Sequence, residues 1–321
     1  MSEAGGYMKG LELARKFYEQ HGEPMLGGQF SHILPFISVG LVGSGSECCG
    51  YDDEVSQDHD FEPGFCIFLP DETKVDRKTA FELERAYSKL PKEFMGYKRS
   101  VISPVGGSRH GVIRTADFFE AKIGRADGEL SAEEWLSLPD YALAEATNGE
   151  IFFDNCGEIT RIRESIAHYP EDIRLKKLAG NLLLMGQSGQ YNYKRCVSRG
   201  ETAAAQLSLF EFAKATLNTA FLLSKKYMPY YKWSFRALRE LSPDYKALAS
   251  ELEYLLSSGN DEAQSKEKCE IIENICTAIS QKLKEQGIVD AVGADTEWLA
   301  YAVNDLIKDN TIRNMHIMAA V

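Results

Sequence analysis

An apolar run over residues 37–42 stops at Gly43-Ser44-Gly45-Ser46. After a polar, acidic stretch ending in Asp58-His59-Asp60, a second apolar run follows, Phe65-Cys66-Ile67-Phe68-Leu69. Short apolar runs bounded by turn residues read as buried strands. The pair therefore commits the N-terminal half of the chain to a sheet, with one strand over 37–42 and a second strand region over 59–69. Pro63-Gly64 interrupts the second as a bulge or kink, because neither residue suits a strand interior.

If Asp58 and Asp60 lie on a strand, residues two apart share a face and their Cα atoms stand roughly 7 Å apart. Two neighbouring carboxylates repel unless something positive sits between them, so this spacing predicts a cation held by both. Mg²⁺ (or Mn²⁺) suits such oxygen ligands and commonly combines one or two carboxylates with substrate phosphates. The Gly-Ser turn supplies the complement. Small residues let backbone N–H groups approach a phosphate, and the Ser44 and Ser46 hydroxyls add donors. The alternative is that the aspartates cap a turn and the Gly-Ser stretch is a loop. The segment is neither a P-loop nor a dinucleotide-binding fingerprint, since it lacks G-x-x-x-x-G-K-[ST] and G-x-G-x-x-G.

Other elements follow from periodicity and punctuation. Helices are expected over 8–21, ended by Gly22-Glu23-Pro24, and over 76–90. A short strand is expected over 111–115, a short helix over 116–123, and a helix start at the S-x-x-E capping box of Ser131 and Glu134. Another strand is expected over 151–154, then a helix to Ile166. Beyond Tyr169-Pro170 strand signals almost vanish. Long helices are expected over 202–226, 262–286 and 296–308. The switch from mixed to all-helical texture places a domain boundary near residue 170, giving units 1–170 and 171–321.

The formal charge of −12 argues against a broad cationic surface for nucleic acid. It leaves room for a nucleotide-sized ligand held by local cations or a metal. Seven scattered cysteines with no pair of CxxC units fit neither a disulfide framework nor a zinc site. With no apolar leader or membrane-length run in the sequence, the expectation is a cytoplasmic protein with reduced thiols and no membrane partner.

The order Gly-Ser, spacer, Asp-x-Asp resembles the signature of the nucleotidyltransferase superfamily of kanamycin and lincosamide nucleotidyltransferases. GLVGSGSECCGYDDEVSQDHDFEPGF is most similar to an uncharacterised branch known only as a domain of unknown function. The close resemblance covers roughly residues 8–170. It implies an α+β fold, a nucleotidyltransferase-like mixed β-sheet with flanking helices, followed by an all-α helical bundle that receives the acceptor. It also implies ATP or another nucleoside triphosphate as substrate, with Gly43, Ser44, Gly45 and Ser46 at the phosphates and Asp58 and Asp60 as catalytic metal ligands.

Two departures stand out. His59 replaces the usual apolar residue between the aspartates, and reads as a hydrogen-bonded histidine on the back of the strand. The usual third carboxylate is missing from strand 111–115, so Asp117, just beyond, is the candidate metal ligand, with helix capping as its alternative.

Kanamycin-type enzymes use a glutamate of the helical domain as general base, with a lysine one turn on near the phosphates. Glu211 and Lys214 resemble that pair. Desolvation among Leu207, Leu209, Phe210 and Phe212 would raise the carboxyl toward a useful range. Their alternative is an ordinary surface pair, and Glu201 is a rival base. Tyr230-Tyr231-Lys232-Trp233 reads as packing core or a pocket wall, Cys48-Cys49 as structural thiols, and Arg163 with His168 as a chance R-x4-H.

The expected function is Mg²⁺-dependent transfer of AMP from ATP to a hydroxyl of a small molecule. The alternative is a catalytically incomplete member that binds a nucleotide or partner without transfer. Action on RNA ends is disfavoured by the acidic charge. The acceptor and the oligomeric state are not legible in the sequence.

Overall fold

A computed structural model describes residues 8–58, 61–99, 110–290 and 292–321, with Gln57 and Asp58 described for their backbone alone. The chain divides into two compact units, Met1–Glu129 with Ala142–Ala167, and Leu130–Tyr141 with His168–Val321. The class is α+β: a small mixed sheet with flanking helices, then a helical C-terminal region.

The sheet of the first unit uses β1 (Ser38–Leu41), β2 (Cys66–Leu69), β5 (Gly111–Arg114) and β6 (Glu150–Asp154) in the order β5-β2-β1-β6. β1 runs antiparallel to β2 and β6, with Val39 opposite both Ile67 and Phe153, and β2 runs parallel to β5. β1 and β2 are buried along their whole length. That is why they read as continuous apolar runs rather than alternating ones. One core joins Val39, Phe65, Ile67 and Leu69 to Leu13 and Phe17 of helix α1 (Gly10–Phe17), Leu26 of α2 (Glu23–Gln29), and Leu83 and Tyr87 of α3 (Arg77–Ser88). Phe68, adjacent in β2 and therefore on the opposite face, meets Phe118 of α4 (Thr115–Ile123) with ring centroids 5.4 Å apart. A hairpin of β3 (Glu93–Phe94) and β4 (Tyr97–Lys98) adds Phe94 to the first core. Its two-residue turn takes positive φ at both Met95 and Gly96, matching a right-handed strand twist.

Two expectations change. The first helix does not end at Gly22-Glu23-Pro24. It loosens into a π-turn over Tyr18–Gly22 and continues as α2, the widened turn falling just before Pro24, which has no N–H to give to the preceding turn. Gly22 is fixed by closeness, since a Cβ there would collide with the Phe65 ring. The second strand is also shorter than 59–69. Phe65 gives its N–H to the Tyr87 hydroxyl at 3.1 Å, so the ladder to β1 starts at Cys66. Asp58 closes a 3-10 turn over Glu54–Asp58.

In the second unit the capping box forms as read. Glu134 N–H donates to Ser131 Oγ (3.3 Å) and Ser131 N–H to Glu134 Oε2 (2.8 Å), opening α5 (Ala132–Ser137). The next helix, α6 (Asp140–Thr147), spans the division between units, and α7 (Glu158–Ser165) follows in the first unit. α8 (Glu171–Met185) is buried on nearly all sides and packs against α10 (Thr202–Leu223) and α14 (Thr296–Asp305). Buried Lys176 on α8 is satisfied by Asn304 Oδ1 (2.9 Å) and the carbonyls of Arg313 (3.2 Å) and Met315 (2.7 Å), which tie the C-terminal segment down. Among the described residues, no helix is long and apolar enough to cross a membrane.

Candidate functional site

The turn after β1 is held open by its backbone and clamped by one side chain. Gly43 and Gly45 take φ of 103° and 131°, a region that side chains disfavour. The Asn148 amide grips Gly43 from both sides, accepting its N–H at 2.8 Å and donating to its carbonyl at 2.9 Å. Arg163 braces that clamp by donating to the carbonyls of Thr147 (2.6 Å) and Asn148 (2.7 Å). The Gly43 N–H, expected to face a phosphate, is therefore taken by Asn148, and the contribution of Gly43 is conformational.

Ser44 sits in a charged trio. Its Oγ donates to Glu145 Oε2 at 2.8 Å and accepts from Lys122 Nζ at 2.8 Å. Lys122 and Glu145 approach to 2.5 Å. The two charged side chains are 22% and 20% exposed, so solvent reaches them. The Ser46 carbonyl accepts from Cys49 and Tyr51 N–H groups, winding a 3-10 turn over Glu47–Cys49. Cys48 is buried and its carbonyl accepts the Gly149 N–H.

Two acids that sequence reading passed over are buried beside this turn, Glu47 and Asp52. Asp52 accepts the Gly10 N–H at 2.8 Å, at the start of α1, and lies 3.3 Å from the Lys9 ammonium. A helix N-terminus favours an anion there. No local pattern signals it, because the partners are more than forty residues apart.

β1 and β2 are antiparallel, with Gly40 opposite Cys66. The turn that leaves β1 and the segment that enters β2 therefore lie at one end of the sheet. The Asp58 side chain, His59 and Asp60 fall outside the described residues. The Asp58 backbone belongs to a 3-10 turn and not to a strand. At the same sheet end, Glu62 and His110 pair at 3.1 Å, both largely buried. β5 contains no carboxylate. Asp117 occupies the first turn of α4 and is exposed, while Arg114 stands at the N-cap position. Among the described residues, no three His, Cys, Asp or Glu side chains gather as a metal site.

Glu211 and Lys214 lie on α10, and both are exposed. The expected desolvation of Glu211 does not arise. Leu209 and Phe212 turn into the core, while Leu207 (67% exposed) and Phe210 (51%) share the solvent-facing stripe with Glu211. Glu201 precedes the same helix and is exposed. Of the aromatic run, Tyr230 meets Tyr141 edge-on at 5.7 Å and Lys232 lies over Trp233, while Tyr231 is exposed.

The helical unit holds a second charged cluster. The Tyr169 hydroxyl donates to Asp140 Oδ1 at 2.7 Å. Lys177 lies 3.4 Å from the same oxygen and donates to the Leu138 carbonyl at 3.2 Å. Burial, then the Asp140 charge, push the Tyr169 and Tyr227 hydroxyls well above the usual tyrosine range. The cluster fastens the start of α6 to α8.

Residues 135–234 match the family model of a domain of unknown function (DUF4037), a span that includes Asn148, Arg163, Lys177 and Glu211. No curated protein matches the chain. Among solved structures, the chain is similar to a nucleotidyltransferase-like protein from Exiguobacterium sibiricum 255-15, with 12% identity, 84% of this chain and 79% of that chain covered, and a TM-score of 0.37.

Proposed function

We propose that this protein is a metal-dependent nucleotidyltransferase that moves a nucleoside monophosphate, AMP from ATP, onto a hydroxyl of a small molecule. The observation that best supports this is the 43–46 turn. It is glycine-shaped, clamped by Asn148, and set at the sheet end where the chain enters β2. A rigid turn with serine hydroxyls and an adjacent cation is suited to phosphate oxygens.

In this reading Ser44, Gly45 and Ser46 cradle the phosphates. Asp58 and Asp60 are the oxygen donors that would suit Mg²⁺ or Mn²⁺; Asp117 follows the end of β5, at the far end of the sheet from the 43–46 turn. Once bound, a divalent cation would supply Lewis-acid stabilisation of phosphate charge. A carboxylate base takes the proton of the acceptor hydroxyl, and Glu211 is the residue proposed for that role. The acceptor oxygen bonds to the α-phosphorus, the bond to the bridging oxygen breaks, and pyrophosphate leaves.

Incubation with ATP, Mg²⁺ and a panel of hydroxyl-bearing small molecules should yield pyrophosphate and an acceptor heavier by one AMP in mass spectrometry. The absence of a carboxylate on β5 favours a second reading, a module that binds the nucleotide without transfer. Nucleotide binding with no pyrophosphate from any acceptor would decide for it.

A further inference from the structure

We infer that Lys122 and Glu145 form a phosphate-responsive latch on the 43–46 turn, in which Lys122 meets the triphosphate and Glu145 competes for it. This rests on the nucleotide reading of the turn and adds a cation and a regulating carboxylate to it.

Three observations carry the inference. First, Lys122 reaches Ser44 across a glycine. A Cβ on Gly43 would stand 3.7 Å from Lys122 Cε, so the lysine stem lies along the bare turn. Its ammonium makes contacts to Ser44 and Glu145 and carries three N–H donors. Second, the cluster is open to solvent, unlike the buried Lys177. Third, Arg163 does not compete for the role, since it donates to the carbonyls of Thr147 and Asn148.

The charges then fix the behaviour. Lys122 and Glu145 together are neutral, so the turn attracts an anion only weakly while they are paired. An anion arriving at Ser44 meets the Glu145 carboxylate as a like charge and Lys122 as an opposite one. A triphosphate carries several charges against the single charge of Glu145, and draws Lys122 away from it. Glu145 thus holds the lysine in place before binding and sets a threshold that small anions do not pass.

The test is titration of the full chain with ATP and Mg²⁺ by calorimetry, comparing wild type, E145Q, K122M, the double variant and D58N. Glutamine keeps the size of Glu145 and a hydrogen bond to Ser44, so E145Q should bind several-fold tighter. K122M should bind about tenfold or more weaker, the scale of one charge-assisted hydrogen bond. The tightening by E145Q should shrink in the K122M background. If K122M fails to fold, E145Q against wild type, with K122R retaining wild-type affinity, carries the same comparison. A purely structural pair predicts that E145Q weakens binding or leaves it unchanged, and either result overturns the latch. If wild type binds and D58N does not, while E145Q and K122M match wild type, the nucleotide reading stands and the latch falls. If wild type does not bind ATP, the nucleotide reading fails and the latch with it.

Discussion

Two lysine–carboxylate clusters in this protein use the same chemistry in different surroundings. At the 43–46 turn, Lys122 pairs with Glu145 with 22% of its side chain exposed. In the helical unit, Lys177 pairs with Asp140 with 6% exposed and a tyrosine ring against it. Water screens the first pair, so it contributes little to stability and stays free to exchange partners. The second pair is removed from water, so its members must satisfy one another. The difference teaches that burial, not residue type, separates a structural ion pair from one a ligand can use.

The sharpest way to break this comparison is to remove each lysine. K177M leaves Asp140 without its cation in a buried place and should cost about 3–5 kcal/mol in urea denaturation. K122M should cost less than about 1 kcal/mol in the same measurement. Equal costs would dissolve the distinction. Next in size, N148A removes both hydrogen bonds to Gly43 and should cost about 2 kcal/mol, with a loss of ATP affinity that S131A does not share. S131A, which deletes the cap of α5 in the helical unit, should cost about 1 kcal/mol by thermal melting.

The smallest effect concerns pH. Burial alone would raise the Asp154 carboxyl, but hydrogen bonds from Thr160, Ser38 and Gly157 outweigh it and hold it below the usual range. Its contribution is therefore present above the ordinary carboxylate pKa of about 4, and is lost as pH falls through the lowered folded value. The stability gap between wild type and D154N should narrow as pH drops below about 4, and a gap independent of pH would contradict the assignment.

What the sequence disclosed follows from what is local. β1, the α5 capping box and the long helices each carry their pattern within a few residues, and they form close to where periodicity puts them. The Asn148 clamp, the Lys122–Ser44–Glu145 trio and buried Asp52 were not legible, because each ties Gly43, Ser44 or Gly10 to residues about forty to a hundred positions away. The strand geometry assumed for Asp58 failed because Tyr87, twenty-two residues beyond Phe65, captures the Phe65 N–H and delays the strand. The burial expected around Glu211 does not form because a helix places sequence neighbours on opposite faces, so nearby leucine and phenylalanine in the chain do not bury the acid.

In the proposed function, the 43–61 segment binds a metal–nucleotide complex. Calorimetric titration with ATP and Mg²⁺ tests it most directly, on the wild type and on Asp58→Asn and Asp60→Asn. Saturable binding by the wild type and its loss in both variants are expected. Binding that persists unchanged in both would contradict it.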